Sequence, residues 1–148
     1  MKIAFDNQMF SIQAYGGVSR YFVSLSLHLN ELGEEARIFA PYHKNKYLAG
    51  QPDSGVYLQN YPYKMARFYQ AYSRLRCRTL IKQWKPDIVH ETYFSRFRSA
   101  PRNYRSVLTV HDMIHELYPE KFSWREKSIA AKRAAVSRVD HILCISEN

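Results

Sequence analysis

Two cysteines in 148 residues, Cys77 and Cys144, are too few for a disulfide framework and form no metal-ligand pair. A reducing cytosol therefore fits best. No apolar run approaches the ~20 residues of a membrane span. The opening Met1-Lys2-Ile3-Ala4-Phe5-Asp6 is too short an apolar stretch for a signal peptide. Neither G-x-x-x-x-G-K-[ST] nor G-x-G-x-x-G occurs, so P-loop and dinucleotide readings are weak. His111 and His115 stand four apart without the glutamate of H-E-x-x-H, in a segment that does not read as a helix, so no metal is expected. Acidic residues are missing where basic ones gather. Positions 63–105 hold eleven Lys and Arg against only Asp87 and Glu91, which accounts for the whole +9 charge of the chain. An excess confined to one segment suggests a localised surface that faces anions.

The length suits one domain of about 150 residues, and a chain of this size buries roughly 68–70% of its unfolded surface. A 46% hydrophobic and 15% aromatic composition argues against disorder. Positions 2–6 read as a first strand, followed by a loop through Phe10 and Tyr15. Val18, Phe22, Leu25, Leu29 and Leu32 then recur at helical spacing, with Gly33 as the C-terminal stop. Positions 36–40 read as a second strand and 42–55 as loop, with a short strand at 56–59. A long helix spans 63–84 and halts before Pro86. Strands follow at 87–90 and 106–111. Ser123-Trp124-Arg125-Glu126 is a capping box that opens a helix to about Arg138, and a last strand covers 141–145. Cys144 reads as a small core residue of that strand. Strands that alternate with helices predict an α/β fold: a Rossmann-like parallel sheet flanked by helices. No internal repeat and no linker divides it. After the last strand come only Ser146-Glu147-Asn148, where a return helix is expected. The expectation is a domain of a larger protein, or one whose partner is a separate chain.

In an open parallel sheet, ligands bind outside the carboxyl ends of the strands. Three segments deliver polar groups there. Gly16-Gly17 open the first long helix; glycines allow close backbone approach, and a helix N-terminus offers free N–H groups to a phosphate. A tight turn would need the same residues. His111-Asp112 closes the run Val107-Leu108-Thr109-Val110, where the histidine can bond a sugar hydroxyl or phosphate, or act as a base. Asp112 either orients it or caps the next turn. His90 and Glu91 sit likewise after Asp87-Ile88-Val89. Tyr15, Arg20, Tyr93 and Phe94 are candidates to line the edge, and Arg96, Arg98 and Arg102 to meet an anionic acceptor, unless they are plain loop charges. In the long helix, Lys64, Arg67, Arg74, Arg78 and Lys82 lie among Phe68, Tyr69, Tyr72 and Leu75, with no acid between 63 and 85. A solvated outer helix is one account; an anionic membrane surface or lipid-linked phosphate is the other. Nucleic acid is disfavoured, because no RRM or KH signature accompanies the cations and aromatics.

Taken together, Tyr15-Gly16-Gly17-Val18-Ser19-Arg20-Tyr21, Asp87-Ile88-Val89-His90, Thr109-Val110-His111-Asp112 and Asp140-His141-Ile142-Leu143-Cys144-Ile145-Ser146-Glu147 resemble the N-terminal half of a family 4 retaining glycosyltransferase of GT-B fold. Phe5-Asp6-Asn7-Gln8-Met9-Phe10 and His111-Asp112-Met113-Ile114-His115-Glu116-Leu117-Tyr118-Pro119 look closest to its mannosyltransferase-B-like group. The resemblance implies a single acceptor-side domain over 1–148, with the donor-binding C-terminal domain and its E-x7-E motif absent. It implies His111 as the catalytic donor-sugar contact, with Gly16, Gly17 and Asp112 at the donor phosphate and sugar. Tyr15, Arg20, His90, Glu91, Tyr93 and Arg96 are then expected on the acceptor side. The implied reaction moves a sugar, mannose first, from a nucleotide-diphosphate sugar such as GDP-mannose to a lipid-linked or polysaccharide acceptor. No metal or other cofactor is implied. The expected place is the cytoplasm or the inner face of its membrane, with little turnover by this domain in isolation. The alternative is a non-catalytic Rossmann-like module that binds glycan or anionic membrane.

Overall fold

The computed structural model describes residues 1–51, 53–59, 64–121 and 126–145. Five parallel strands form its centre: β1 (Lys2–Phe5), β2 (Glu35–Ile38), β5 (Ile88–Glu91), β6 (Arg105–Val110) and β7 (His141–Cys144). Their spatial order is β2-β1-β5-β6-β7. A separate two-residue parallel ladder pairs β3 (Tyr42–His43), inside a stretch the sequence marks as loop, with β4 (Val56–Tyr57), where the sequence marks a short strand. The helices are α1 (Gln8–Ile12), α2 (Gly17–Glu31), α3 (Ala66–Trp84), α4 (Ile114–Leu117) and α5 (Glu126–Val136). Ser123 to Arg125 of the expected capping box, Tyr63 and Ser146 to Asn148 lie outside the described residues.

Strand alternation builds two cores. Ile3 and Phe5 of β1 point to the side of α2, where they join buried Phe10, Phe22, Val23 and Ala36. Ala4, between them, points to the other side and meets Cys77 and Ile81 of α3 and Val89 of β5. A sheet covered on both faces explains why Ile3, Ala4 and Phe5 of β1 and Val89 of β5 are buried whichever way they point. Helix α2 buries Ser19, Phe22, Val23 and Ser26. Leu32, expected on its apolar stripe, lies beyond the last turn and is 79% exposed. Asn30 fastens that end to β2 instead, exchanging side-chain hydrogen bonds with both the N–H and the carbonyl of Ala36. Gly33 follows in the left-handed region at φ 84°, where glycine carries no side-chain penalty.

Three expectations change. The 8–12 segment is a short helix rather than loop, held by Thr92 Oγ1, which accepts from the Met9 N–H. The segment after His111 contains a helical turn, α4. Cys144 is exposed, not core, because β7 is the outer strand of the sheet and all four of its residues face solvent.

Candidate functional site at the carboxyl edge of the sheet

The register places the chemistry. Phe5 pairs with His90, and His90 with Val107. Alternation then sets His90, Thr109 and His111 on the face that α2 covers. Phe22 of α2 touches both histidine rings, edge-on, at 5.2 Å to His90 and 5.6 Å to His111. Tyr21 meets His111 edge-on at 5.2 Å. The two histidines have different surroundings. His90 is 4% exposed, its Nε2 lies 2.8 Å from Thr109 Oγ1, and its ring packs on Phe5. Burial, with the nearby His111 ring second, pushes its pKa down to about 4. His111 is half-buried just past the end of β6, and no described residue hydrogen-bonds its ring. Burial lowers its pKa too, against the pull of Asp112, so a neutral imidazole is favoured. Beside it an apolar groove of about 250 Å³ runs between Met113, Val136, Ile142 and Cys144.

The start of α2 shows why its two glycines differ. Gly16 is extended, at φ 161°, so the turn requires no left-handed residue. What it requires is space: a Cβ at Gly16 would stand 2.4 Å from the Gln13 side chain. Gln13 is committed there, since its Oε1 accepts from the Ser19 N–H at 3.0 Å and so caps the helix. Gly17 has neither constraint, because a Cβ there would meet nothing within 4 Å. Among the described residues, the N–H groups of Gly17 and Val18 are left without a partner at the positive end of a fifteen-residue helix.

The site thus combines a neutral histidine, two free helix N–H groups and an open glycine at the C-terminal edge of a parallel sheet. Residues 15–148 match the sequence profile of Glycosyltransferase Family 4. The chain belongs to glycosyltransferase family 4. Its role is glycosyl transfer, and its fold is the Rossmann-like α/β layer expected of an N-terminal GT-B half. No curated protein and no solved structure gives a significant match.

Within this glycosyltransferase domain the remaining candidates separate clearly. Tyr15 is 68% exposed and stacks on Tyr47 at 4.8 Å, and Arg20 is exposed nearby. Tyr93 and Phe94 are half-buried beyond β5, and Arg96 is exposed. Asp112 caps α4, accepting from the Ile114 N–H at 3.3 Å. His90 and Glu91, expected to face the acceptor, do not: both are sealed in the sheet. Glu91 is fully buried, accepts from the Ser99 N–H and pairs with Arg138. Burial, then the Asp6 carboxylate, push its pKa up to about 7 against the pull of Arg138. Arg98 is also structural, since its Nη2 reaches the Tyr104 carbonyl, Ser106 Oγ and Asp140. Lys64, just before α3, and Arg67, Arg78 and Lys82 on it are exposed, whereas Arg74 is half-buried and stacks 5.2 Å from the Phe97 ring.

Two supporting residues escaped sequence reasoning. Asp6, fully buried after β1, accepts from Thr92 N–H, Thr92 Oγ1 and Gln8 Nε2, and so ties the loops after β1 and β5 together. Lys132 of α5 is 4% exposed; its ammonium donates to the Asp112 carbonyl at 2.8 Å and Glu116 at 2.9 Å, and lies 5.0 Å from the Phe94 ring. It holds the backbone next to His111 in place. An acid directly after a strand was a readable signal for Asp6. Lys132 sits in a mixed helix with no sequence sign of its burial.

Proposed function

We propose that this domain forms the acceptor side of a retaining glycosyltransferase of the mannosyltransferase-B-like group. GDP-mannose is the first candidate donor, and a lipid-linked or polysaccharide glycan the acceptor. The observation that carries this reading is the packing of His111 on Tyr21 and Phe22 of α2, about one turn beyond the N–H groups of Gly17 and Val18 that are free among the described residues. In this reading the anomeric bond to the diphosphate breaks, and the acceptor oxygen replaces it on the same face of the sugar as its hydroxyl proton passes to the departing diphosphate oxygen. The departing diphosphate gains negative charge, which aimed N–H groups such as those of Gly17 and Val18 stabilise. His111, neutral and free of internal hydrogen bonds, contacts the donor sugar. A donor-binding domain facing this edge supplies the remaining cations and most of the nucleotide contacts, so the domain alone turns over poorly. Nothing in the chemistry described draws on a metal or other cofactor.

The membrane placement rests on α3. Phe68, Tyr72 and Leu75 form an exposed stripe at spacings of four and three, at 64%, 41% and 65% exposure. Lys64, Arg67, Arg78 and Lys82 flank it. Apolar side chains bordered by cations suit the headgroup layer of an anionic bilayer, where each basic residue contributes about 1 kcal/mol. No helix among the described residues is long and apolar enough to cross a membrane.

The test is transfer of labelled mannose from GDP-mannose by the protein that carries this domain, with other nucleotide sugars in parallel. His111→Ala is expected to lose about 100- to 1000-fold in turnover, the scale of one lost electrostatic contact. Wild-type turnover in that variant removes the assignment of His111. Cosedimentation with phosphatidylglycerol vesicles is expected at low salt and to fade as salt rises. Replacing Lys64, Arg67, Arg78 and Lys82 by Gln is expected to abolish it, and no binding at low salt rejects the membrane placement.

A further inference from the structure

The strand order reverses between β1 and β5: the chain passes from β1 outward to β2, then returns to the opposite side of β1. At such a switch point the loops leave in opposite directions and open a crevice at the carboxyl ends of the strands. A cavity of about 220 Å³ occupies that place. Asn7 and Gln8 line it after β1, Tyr93 and Phe94 after β5, and Gln70 and Arg74 from α3. It adjoins the His111 site through Phe94, which packs on Lys132, whose ammonium holds the Asp112 carbonyl.

Arg74 is the informative member. Other internal arginines are matched: Arg138 pairs with Glu91, and Arg98 with Asp140. Arg74 is half-buried yet makes no ion pair and no hydrogen bond with any described residue. Its guanidinium stacks on the face of Phe97, which leaves the N–H edge available. The nearby acids are committed elsewhere. Asp6 is bonded to Gln8 and Thr92, and Glu91 to Ser99 and Arg138. A guanidinium that lines a cavity without a counter-ion among the described residues is available to an anionic ligand. The other groups suit a sugar. Gln8 spends its amide nitrogen on Asp6 and Ser99, so its carbonyl oxygen remains to accept a hydroxyl. Tyr93 and Phe94 bring aromatic surface, 5.1 Å apart. The volume is below the ~300–1,000 Å³ of a drug-sized site, which fits one sugar unit and not an oligosaccharide.

We propose that this cavity binds one acidic sugar unit of the acceptor, with Arg74 as the counter-ion of its carboxylate or phosphate and Gln8, Gln70 and Tyr93 holding its hydroxyls. The inference rests on the acceptor-side reading above and narrows the acceptor to an anionic glycan. Arg74 is thereby a specificity-determining residue.

The test follows backbone amide resonances of the chain during titration with glucuronate, mannose 6-phosphate and neutral mannose at low salt. Shifts at Asn7, Gln70 and Tyr93 with an acidic sugar, and affinity at least about tenfold weaker in Arg74→Gln, are expected. Glucuronate alone binding assigns a carboxylate, and mannose 6-phosphate alone a phosphate. Arg105→Gln removes the same charge at the opposite edge of the sheet and is expected to bind as wild type, which separates a site from a general charge effect. Equal binding of neutral mannose, an unchanged affinity in Arg74→Gln, or shifts confined to other residues overturns the proposal. Failure is distinguishable from failure of the enzyme reading. Transfer to neutral acceptors unaffected by Arg74→Gln removes the subsite and leaves the glycosyltransferase. Absence of transfer from every nucleotide sugar, with acidic-sugar binding intact, removes the donor and acceptor assignments and keeps the site.

Discussion

Strands β5 and β6 lie side by side, and a histidine followed by an acid stands at the end of the first and just after the second. His90-Glu91 closes inward. Phe5, Phe22 and Thr109 surround the imidazole, and Ser99 and Arg138 hold the carboxylate. His111-Asp112 opens outward, with one ring face on Tyr21 and Phe22 and the carboxylate 55% exposed. Two features produce the difference. β5 is flanked by β1 and β6 and roofed by the 92–104 connection, whereas β6 has only the exposed strand β7 beyond it. His111 also follows the last residue of its strand, while His90 and Glu91 remain within theirs. A histidine followed by an acid is enclosed in one strand and half-open after the next, according to what packs around it among the described residues.

The comparison breaks first on stability. Arg138→Ala leaves Glu91 buried without its partner and is expected to cost about 3–5 kcal/mol in urea unfolding. His111→Ala loses only edge-on aromatic contacts and is expected to cost about 1 kcal/mol. Equal costs would show that both strand ends are scaffold.

pH sharpens it next. His90 has its pKa lowered to about 4 in the fold, so the unfolded chain binds more protons between pH 6.5 and 4. Stability from this group falls as pH drops through that window, by about 3 kcal/mol in full. Glu91 has its pKa raised to about 7, so the folded state binds more protons between 4.5 and 7. Its contribution is present below pH 4.5 and is lost as pH rises through 7. The two oppose each other in wild type. In Glu91→Gln the histidine slope is unmasked, and stability measured from pH 7 to 4 is expected to fall more steeply than in wild type. An unchanged slope in that variant would show that the fold does not raise the Glu91 pKa, and a shallower fall that Arg138 outweighs burial.

The smallest effect concerns the two glycines. Gly16→Ala displaces Gln13 from its cap on Ser19 and is expected to cost about 1 kcal/mol. Gly17→Ala meets no atom, and its stability is expected within about 1 kcal/mol of wild type, on the stabilised side. Its transfer rate is expected to fall, because a methyl group stands where a phosphate would approach the helix. Full transfer by Gly17→Ala would make both glycines structural.

Much of this molecule was legible along the chain. The alternation of strands and helices, the stop at Gly33 and the long helix before Pro86 are local properties of apolar spacing and backbone restriction, and each recurs in the fold. The ordered motifs around Gly16-Gly17, His90, His111 and His141 carried the family. Helix α1 and strand β3 were not legible, since both are short and held by distant residues such as Thr92 and Ser73.

The layer architecture and the family are written in the chain, because periodicity and motif order need no knowledge of neighbours. Which histidine is buried, which of two glycines has a steric duty, and that Arg74 has no carboxylate partner among the described residues are set by the fold. Those answers depend on residues tens of positions away. Burial and charge pairing are properties of the assembled sheet edge, where a side chain's pKa, partners and exposure are set by what folds against it.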